Sequence, residues 1–155
     1  MPTELQLEIR QGRPFESLRQ EALLNLWRTG AAMQDGLERV LKQHQVSAAQ
    51  YNVLRILRGA GDAGLCRNEI RDRLVARMPD VTRLLDRLEA TGLVRRERDS
   101  ADRRLVSTYL TDAGAALLRS LDGPVSAEHD RQLGHMSDDQ VQSLIALVTL
   151  ARKAG

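Results

Sequence analysis

Apolar positions along this chain fall mostly at helical spacing. They give way to strand-like alternation only at the N-terminus and between residues 93 and 110. Leu5, Leu7 and Ile9 alternate with Glu4, Gln6, Glu8 and Arg10, which predicts a short, half-buried strand, either a loose arm or one that pairs across a dimer. From Phe15 to about His44 a long helix is predicted. Phe15, Leu18, Ala22, Leu26, Met33, Leu37, Val40 and Leu41 make its apolar stripe, and Leu23, Trp27 and Ala31 widen it. A helix apolar over more than one face is either deeply buried or shared with another subunit, and this chain length favours sharing. Ser47 and Gln50 form a capping box for the next helix, with Val46 and Tyr51 at staple spacing. That helix runs to about Arg58 and stops at the glycine-rich loop 59–64, which lacks the lysine and hydroxyl of a phosphate cradle.

Cys66-Arg67-Asn68-Glu69 opens a further helix with Ile70 and Leu74 facing inward. After a short turn Pro79 suits the first turn of another, where Val81, Leu84, Leu85 and Leu88 recur at i, i+3, i+4 and i+7. Met78 is a poor cap for a helix starting there. Gly92 marks a left-handed stop. Residues 93–98 and 105–110 read as two strands joined by Asp99-Ser100-Ala101-Asp102-Arg103-Arg104. Thr111 caps a helix carrying Ala113, Ala116, Leu117 and Leu121, which is predicted to bend or break at Gly123-Pro124 and to fade near Gly134. Ser137 to Gln140 is another capping box, opening a last helix with Val141, Leu144, Ile145, Val148 and Ala151 on its inner face.

Helix, turn, outward-charged helix and basic hairpin, in that order, describe a winged helix-turn-helix: one helix for a major groove and a charged loop beside it. The fold class expected is mainly α with a small β-hairpin wing. Residues 45–110 would form the DNA-reading lobe of a single domain, with 15–44 and 111–153 as flanking dimerisation helices. The outward residues of the second helix are Asp80, Thr82, Arg83, Asp86 and Arg87, and its first turns place Pro79, Thr82 and Arg83 nearest to base edges. Arg83 can bond guanine bidentately, and Thr82 can meet a thymine methyl or a phosphate. A solvated face with ion pairs such as Arg83 with Asp86 explains the helix alone equally well. The hairpin tips the balance, because Arg95, Arg96, Arg98, Arg103 and Arg104 are more cations than a turn needs. Asp102 is expected to brace one guanidinium through a forked bond, and a narrow minor groove attracts an inserted arginine. The candidate DNA contacts are Asn68, Pro79, Thr82, Arg83, Arg87, Arg98, Asp102, Arg103 and Arg104.

Composition sharpens this only in part. In 155 residues the net charge is +2, but Lys42 and Lys153 are the only lysines and the remaining 21 cationic residues are arginine. Arginine's planar fork suits phosphate and guanine, although a genome rich in arginine codons gives the same bias. The single cysteine excludes an intrachain disulfide and fits a reducing cytosol. No apolar run approaches a membrane span, the N-terminus lacks a signal core, and a cytoplasmic location is expected.

Gln50-Tyr51-Asn52-Val53-Leu54, Val81 through Glu89, Gly92-Leu93-Val94-Arg95-Arg96, Asp102-Arg103-Arg104 and Leu110-Thr111-Asp112-Ala113-Gly114 stand in the order seen in the multiple-antibiotic-resistance regulator (MarR) family. The chain resembles that family over about residues 15–153. The resemblance implies a homodimeric winged-helix regulator, usually a repressor, whose terminal helices build the dimer. It also implies release from double-stranded operator DNA by a small, often phenolic, effector or by an oxidant. Asp102 and Arg104 match the family's Asp-x-Arg wing motif, which supports a minor-groove role for Arg104.

Cys66, at a helix N-terminus beside Arg67, is either an oxidisable thiol or a small residue replacing the family's usual hydroxyl cap. Oxidant sensors of the family carry their cysteine near the start of the first helix, where this chain has none. Trp27, Met33, His44 and Tyr51 are candidate lining for a ligand pocket, and plain core is the alternative. His44, His129 and His135 have no metal spacing, and no cofactor loop or paired carboxylates suggest an enzyme. Two further readings are a winged-helix protein-interaction module without DNA binding and a thiol-based redox regulator using Cys66.

Overall fold

The computed structural model describes residues 1–153. They form two compact units, one of Met1–Gly36 and one from Leu37 onward. The first holds helix α1 (Glu4–Glu8) and most of α2 (Leu18–Lys42). The expected N-terminal strand is therefore a helix. Thr3 and Gln6 make a reciprocal cap, with the Thr3 N–H donating to Gln6 Oε1 at 2.9 Å, and this local pair wins over the alternating apolar pattern. Leu5 is buried while Leu7 stays exposed, so the alternation does not mark one face.

The second unit carries α3 (Ala48–Ala60), a single 3-10 turn (Gly61–Ala63), β1 (Leu65–Cys66), α4 (Arg67–Arg73), α5 (Val81–Ala90), β2 (Val94–Arg98), β3 (Val106–Leu110), α6 (Asp112–Leu133) and α7 (Asp138–Arg152). The strands form one antiparallel sheet in the order β1-β3-β2, with Arg96 opposite Thr108 and Leu65 on its other side. Helix starts follow their caps: Ser47 accepts from the Gln50 N–H, Thr111 from the Gly114 N–H and Ser137 from the Gln140 N–H. Val46 and Tyr51, the staple pair, are both buried in the main core. That core joins Val53, Leu54 and Leu57 of α3, Ile70 of α4, the α5 stripe, Val94 of β2, and Leu118, Leu121 and Val125 of α6.

Of the bend or break predicted at Gly123-Pro124, the break does not occur: α6 is one helix with Pro124 inside it. Proline removes one backbone bond, but the exposed Ser120 carbonyl that loses it can turn to water. Buried Leu118, Leu121 and Val125 meanwhile hold both sides of the proline to the same core. Farther along α6 the buried Glu128 is bonded by Arg131 and Gln132, which pull its carboxyl down to about 2. Among the described residues no helix is long and apolar enough to cross a membrane.

Candidate nucleic-acid interface

Helix α5 is amphipathic in the sense the sequence requires. Val81, Leu84, Leu85 and Leu88 are buried, and Thr82, Arg83, Asp86 and Arg87 are exposed. Its start differs from expectation. Asp80, not Met78, is the N-cap: its carboxylate accepts the Arg83 N–H at 2.9 Å, and Pro79 lies just outside the helix rather than in its first turn. A carboxylate that satisfies an orphan N–H and faces the positive helix end outweighs the preference for proline at the first helical position. The same carboxylate stands 3.6 Å from Arg83 Nε.

Two neighbours hold α5 in place. On α3, Asn52 accepts the Val75 N–H at 2.8 Å and so fixes the turn between α4 and α5. In the sequence Asn52 stands out only as a polar residue between the apolar positions Tyr51 and Val53 of α3. On α4, Arg67 donates to the Thr82 hydroxyl at 3.3 Å and to the Asn68 side-chain oxygen at 3.4 Å.

The hairpin arginines divide into two groups. Arg96 is a strut. Its backbone N–H and its guanidinium both donate to Glu89, at 3.0 and 2.6–2.8 Å, and the guanidinium reaches Asp86 at 2.7 Å. Its side chain is only 24% exposed. Hydrogen bonding to Arg96 lowers the Glu89 pKa, and the reciprocal bond raises that of Arg96. Arg95 stacks 4.4 Å over the Tyr109 ring and pairs with Glu97. Asp86 thus serves the wing strand, not Arg83 or Arg87 on its own helix.

Arg98, Arg103 and Arg104 have no carboxylate partner among the described residues. The expected forked bond from Asp102 to a guanidinium is not formed. Asp102 accepts the Arg104 backbone N–H at 3.0 Å instead, and Asp99 accepts those of Ala101 and Asp102 at 2.7 and 3.0 Å, which lowers its pKa. In a tight loop a short acid finds the amide two or three residues on before it finds the end of a long side chain. Both acids are spent on the loop backbone, and the arginines face solvent.

The remaining candidates differ in burial. Tyr51 is core, His44 and Met33 are half-buried, and Trp27 is 76% exposed. Cys66 is half-buried at the α4 cap, its N–H donating to Glu69 at 2.8 Å, a bond that lowers the Glu69 pKa. Among the described residues no cluster of His, Cys, Asp and Glu could hold a metal ion.

The MarR family profile matches residues 46–106, the segment from the α3 cap to the start of β3. A crystal structure of a MarR transcription factor from Planctomyces limnophilus is 47% identical, covers 88% of this chain and 99% of its own, and superposes with a TM-score of 0.69. The chain belongs to the MarR family. Another MarR protein, a mutant of the E. coli regulator crystallised with operator DNA, is 26% identical over 96% of this chain and 99% of that one, with a TM-score of 0.75. The HTH-type transcriptional regulator TtmR of Methylorubrum extorquens is 43% identical over 83 residues; the match spans 54% of this chain and 42% of TtmR. MarR membership accounts for the small three-stranded sheet among helices and for the position of α5 beside the hairpin.

Proposed function

We propose that this MarR-family chain is a sequence-specific, homodimeric DNA-binding repressor that leaves a pseudo-palindromic operator when a small ligand binds. Residues 45–110 would read the DNA, and residues 15–44 and 111–153 would build the dimer. In this reading α5 enters the major groove with Thr82 and Arg83 foremost, Asn68, Pro79, Arg87 and Arg98 flank it, and Arg103 and Arg104 meet the backbone and minor groove. Asp102 acts by shaping the loop that carries them. The observation that carries the proposal is the fate of the arginines. Eleven of the 21 lie between Arg67 and Arg104. Most of these lack a carboxylate partner among the described residues, so their charge is available to phosphate.

The test is a salt-dependent gel-shift titration on the DNA upstream of the chain's own gene. Arg83→Ala is expected to cost about 1–3 kcal/mol and to relax preference at one base position in each half-site. Arg103→Ala is expected to weaken all sequences alike and to make binding less sensitive to salt. Equal losses on every sequence for Arg83→Ala would reduce that residue to a phosphate contact.

Support for a dimer comes from apolar surface within each unit. Leu18, Leu23, Leu26 and Trp27 are exposed on α2. Helix α7 has no buried residue, and Ile145, Leu147 and Leu150 lie open on it, Leu147 being 65% exposed. Removing residues 1–14 is expected to leave the dimer intact, whereas deletion from Ser137 onward is expected to give an unstable or monomeric chain. Sedimentation at micromolar concentration decides the matter, and a well-folded monomer of the full chain would count against the proposal.

A further inference from the structure

We infer that Arg67 and Thr82 act as one phosphate-binding unit, with Arg67 both touching the DNA backbone and setting the direction of the Thr82 hydroxyl. The inference rests on the DNA-binding reading and deepens it. Arg67 begins α4 and Thr82 lies in the first turn of α5, so the 3.3 Å bond between them crosses from one helix to the other. Arg67 is exposed and has no carboxylate partner among the described residues; its polar contacts are two neutral oxygens, on Thr82 and Asn68. Neither neutralises its charge. A guanidinium has five N–H donors, and two are engaged here, so the rest remain for an anion.

The consequence for Thr82 is specific. A hydroxyl donates one proton and accepts through two lone pairs. With Arg67 occupying a lone pair from the α4 side, the proton is turned toward the exposed side, where an acceptor must meet it. Beside a bound cation the acceptor that gains most is a phosphate oxygen, since a donor and a positive charge then converge on one anion. Thr82 is therefore assigned to the backbone, not to a thymine methyl. Arg67 is a contact residue in its own right and a positioning residue for Thr82.

The experiment is fluorescence anisotropy at several salt concentrations with two labelled duplexes of about 30 base pairs, long enough for two half-sites a helical turn apart. One comes from upstream of the chain's own gene and the other is its scrambled counterpart. Arg67→Ala is expected to weaken both duplexes about ten-fold and to lower the salt slope by about one. Thr82→Val, which keeps the shape but not the hydroxyl, is expected to weaken both alike. Thr82→Ser, which keeps the hydroxyl but not the methyl, is expected to bind as the unsubstituted chain does. The double variant Arg67→Ala with Thr82→Val should lose little beyond Arg67→Ala alone, because the two groups act together. All three side-chain changes are at exposed positions, and circular dichroism checks that each of the four variants is folded. Additive losses, an unchanged salt slope, or a change of base preference in Thr82→Ser would overturn the inference while leaving DNA binding intact. Failure of the unsubstituted chain to bind either duplex at low salt would overturn the DNA-binding reading, and this inference with it.

Discussion

Gly114→Ala is expected to destabilise the chain by about 3 kcal/mol, the cost of forcing a methyl group into a space that backbone already fills. A Cβ at Gly114 would lie 2.2 Å from the Leu93 carbonyl oxygen and 2.7 Å from Leu110 Cδ1. The start of α6 is tied to the same turn by Thr111, whose hydroxyl donates to the Gly92 carbonyl at 2.6 Å and whose N–H donates to Leu93 at 3.2 Å. Relief of the clash would have to stretch both bonds. Gly30→Ala provides the contrast, since nothing lies within 4 Å of a Cβ there and the residue is inside helix α2, away from any proline. It is expected to stabilise by about 0.5–1 kcal/mol. Urea denaturation measures both, and a Gly114→Ala midpoint equal to that of the unsubstituted chain would show that the α6 start is not clamped.

Breaking the Arg96 strut is expected to have the largest effect on DNA binding among residues that need not touch DNA. Arg96 links β2 to Glu89 and Asp86 of α5, so it fixes the hairpin against the helix it flanks. Arg96→Ala is expected to lower stability by about 1–2 kcal/mol, a figure held down because Glu89 and Asp86 stay partly solvated. It should weaken operator binding about ten-fold through lost registration of wing and helix. Glu89→Gln separates registration from charge. Removing an anion near DNA should tighten binding on electrostatic grounds, whereas a loosened strut should weaken it; tighter binding would sink the strut. The acid dependence has a defined sign. The folded Glu89 carboxyl lies below its ordinary value of 4.5. The strut's contribution is therefore complete above that value and is lost as pH falls through the depressed one.

Much of this was legible because it is local. The four-residue caps at Ser47, Thr111 and Ser137, the stripe Val81, Leu84, Leu85 and Leu88, and the stop at Gly92 (φ 73°) depend on neighbours within a turn or two, which a sequence displays directly. The Thr3–Gln6 box at the N-terminus was equally visible, but a three-residue apolar alternation was given more weight than a cap. What the sequence could not display was which charges meet. Arg83 has acids at both i−3 and i+3, and only the fold decides that Asp80 takes it while Asp86 is drawn to Arg96 across the wing. Asp102 shows the reverse error, a partner sought at side-chain distance when a backbone amide lay closer. Pro124 depends on the fold in the same way: buried Leu121 and Val125 on either side keep α6 whole where the proline alone leaves a bend or a break open.

Asp80 leaves Arg83 with somewhere to rest. At 3.6 Å the two form a loose, solvent-exposed pair, worth at most about 1 kcal/mol. Under the proposed reading a guanine offers the same guanidinium two acceptors and about 1–3 kcal/mol, enough to draw it away. Opposite any other base the offer is poorer and the side chain gains nothing by leaving. The carboxylate would then behave as a competitor carried within the protein, one that guanine displaces and the other bases do not. On the wrong stretches of a chromosome Arg83 would stay folded back on its own helix, and the time spent there would be short.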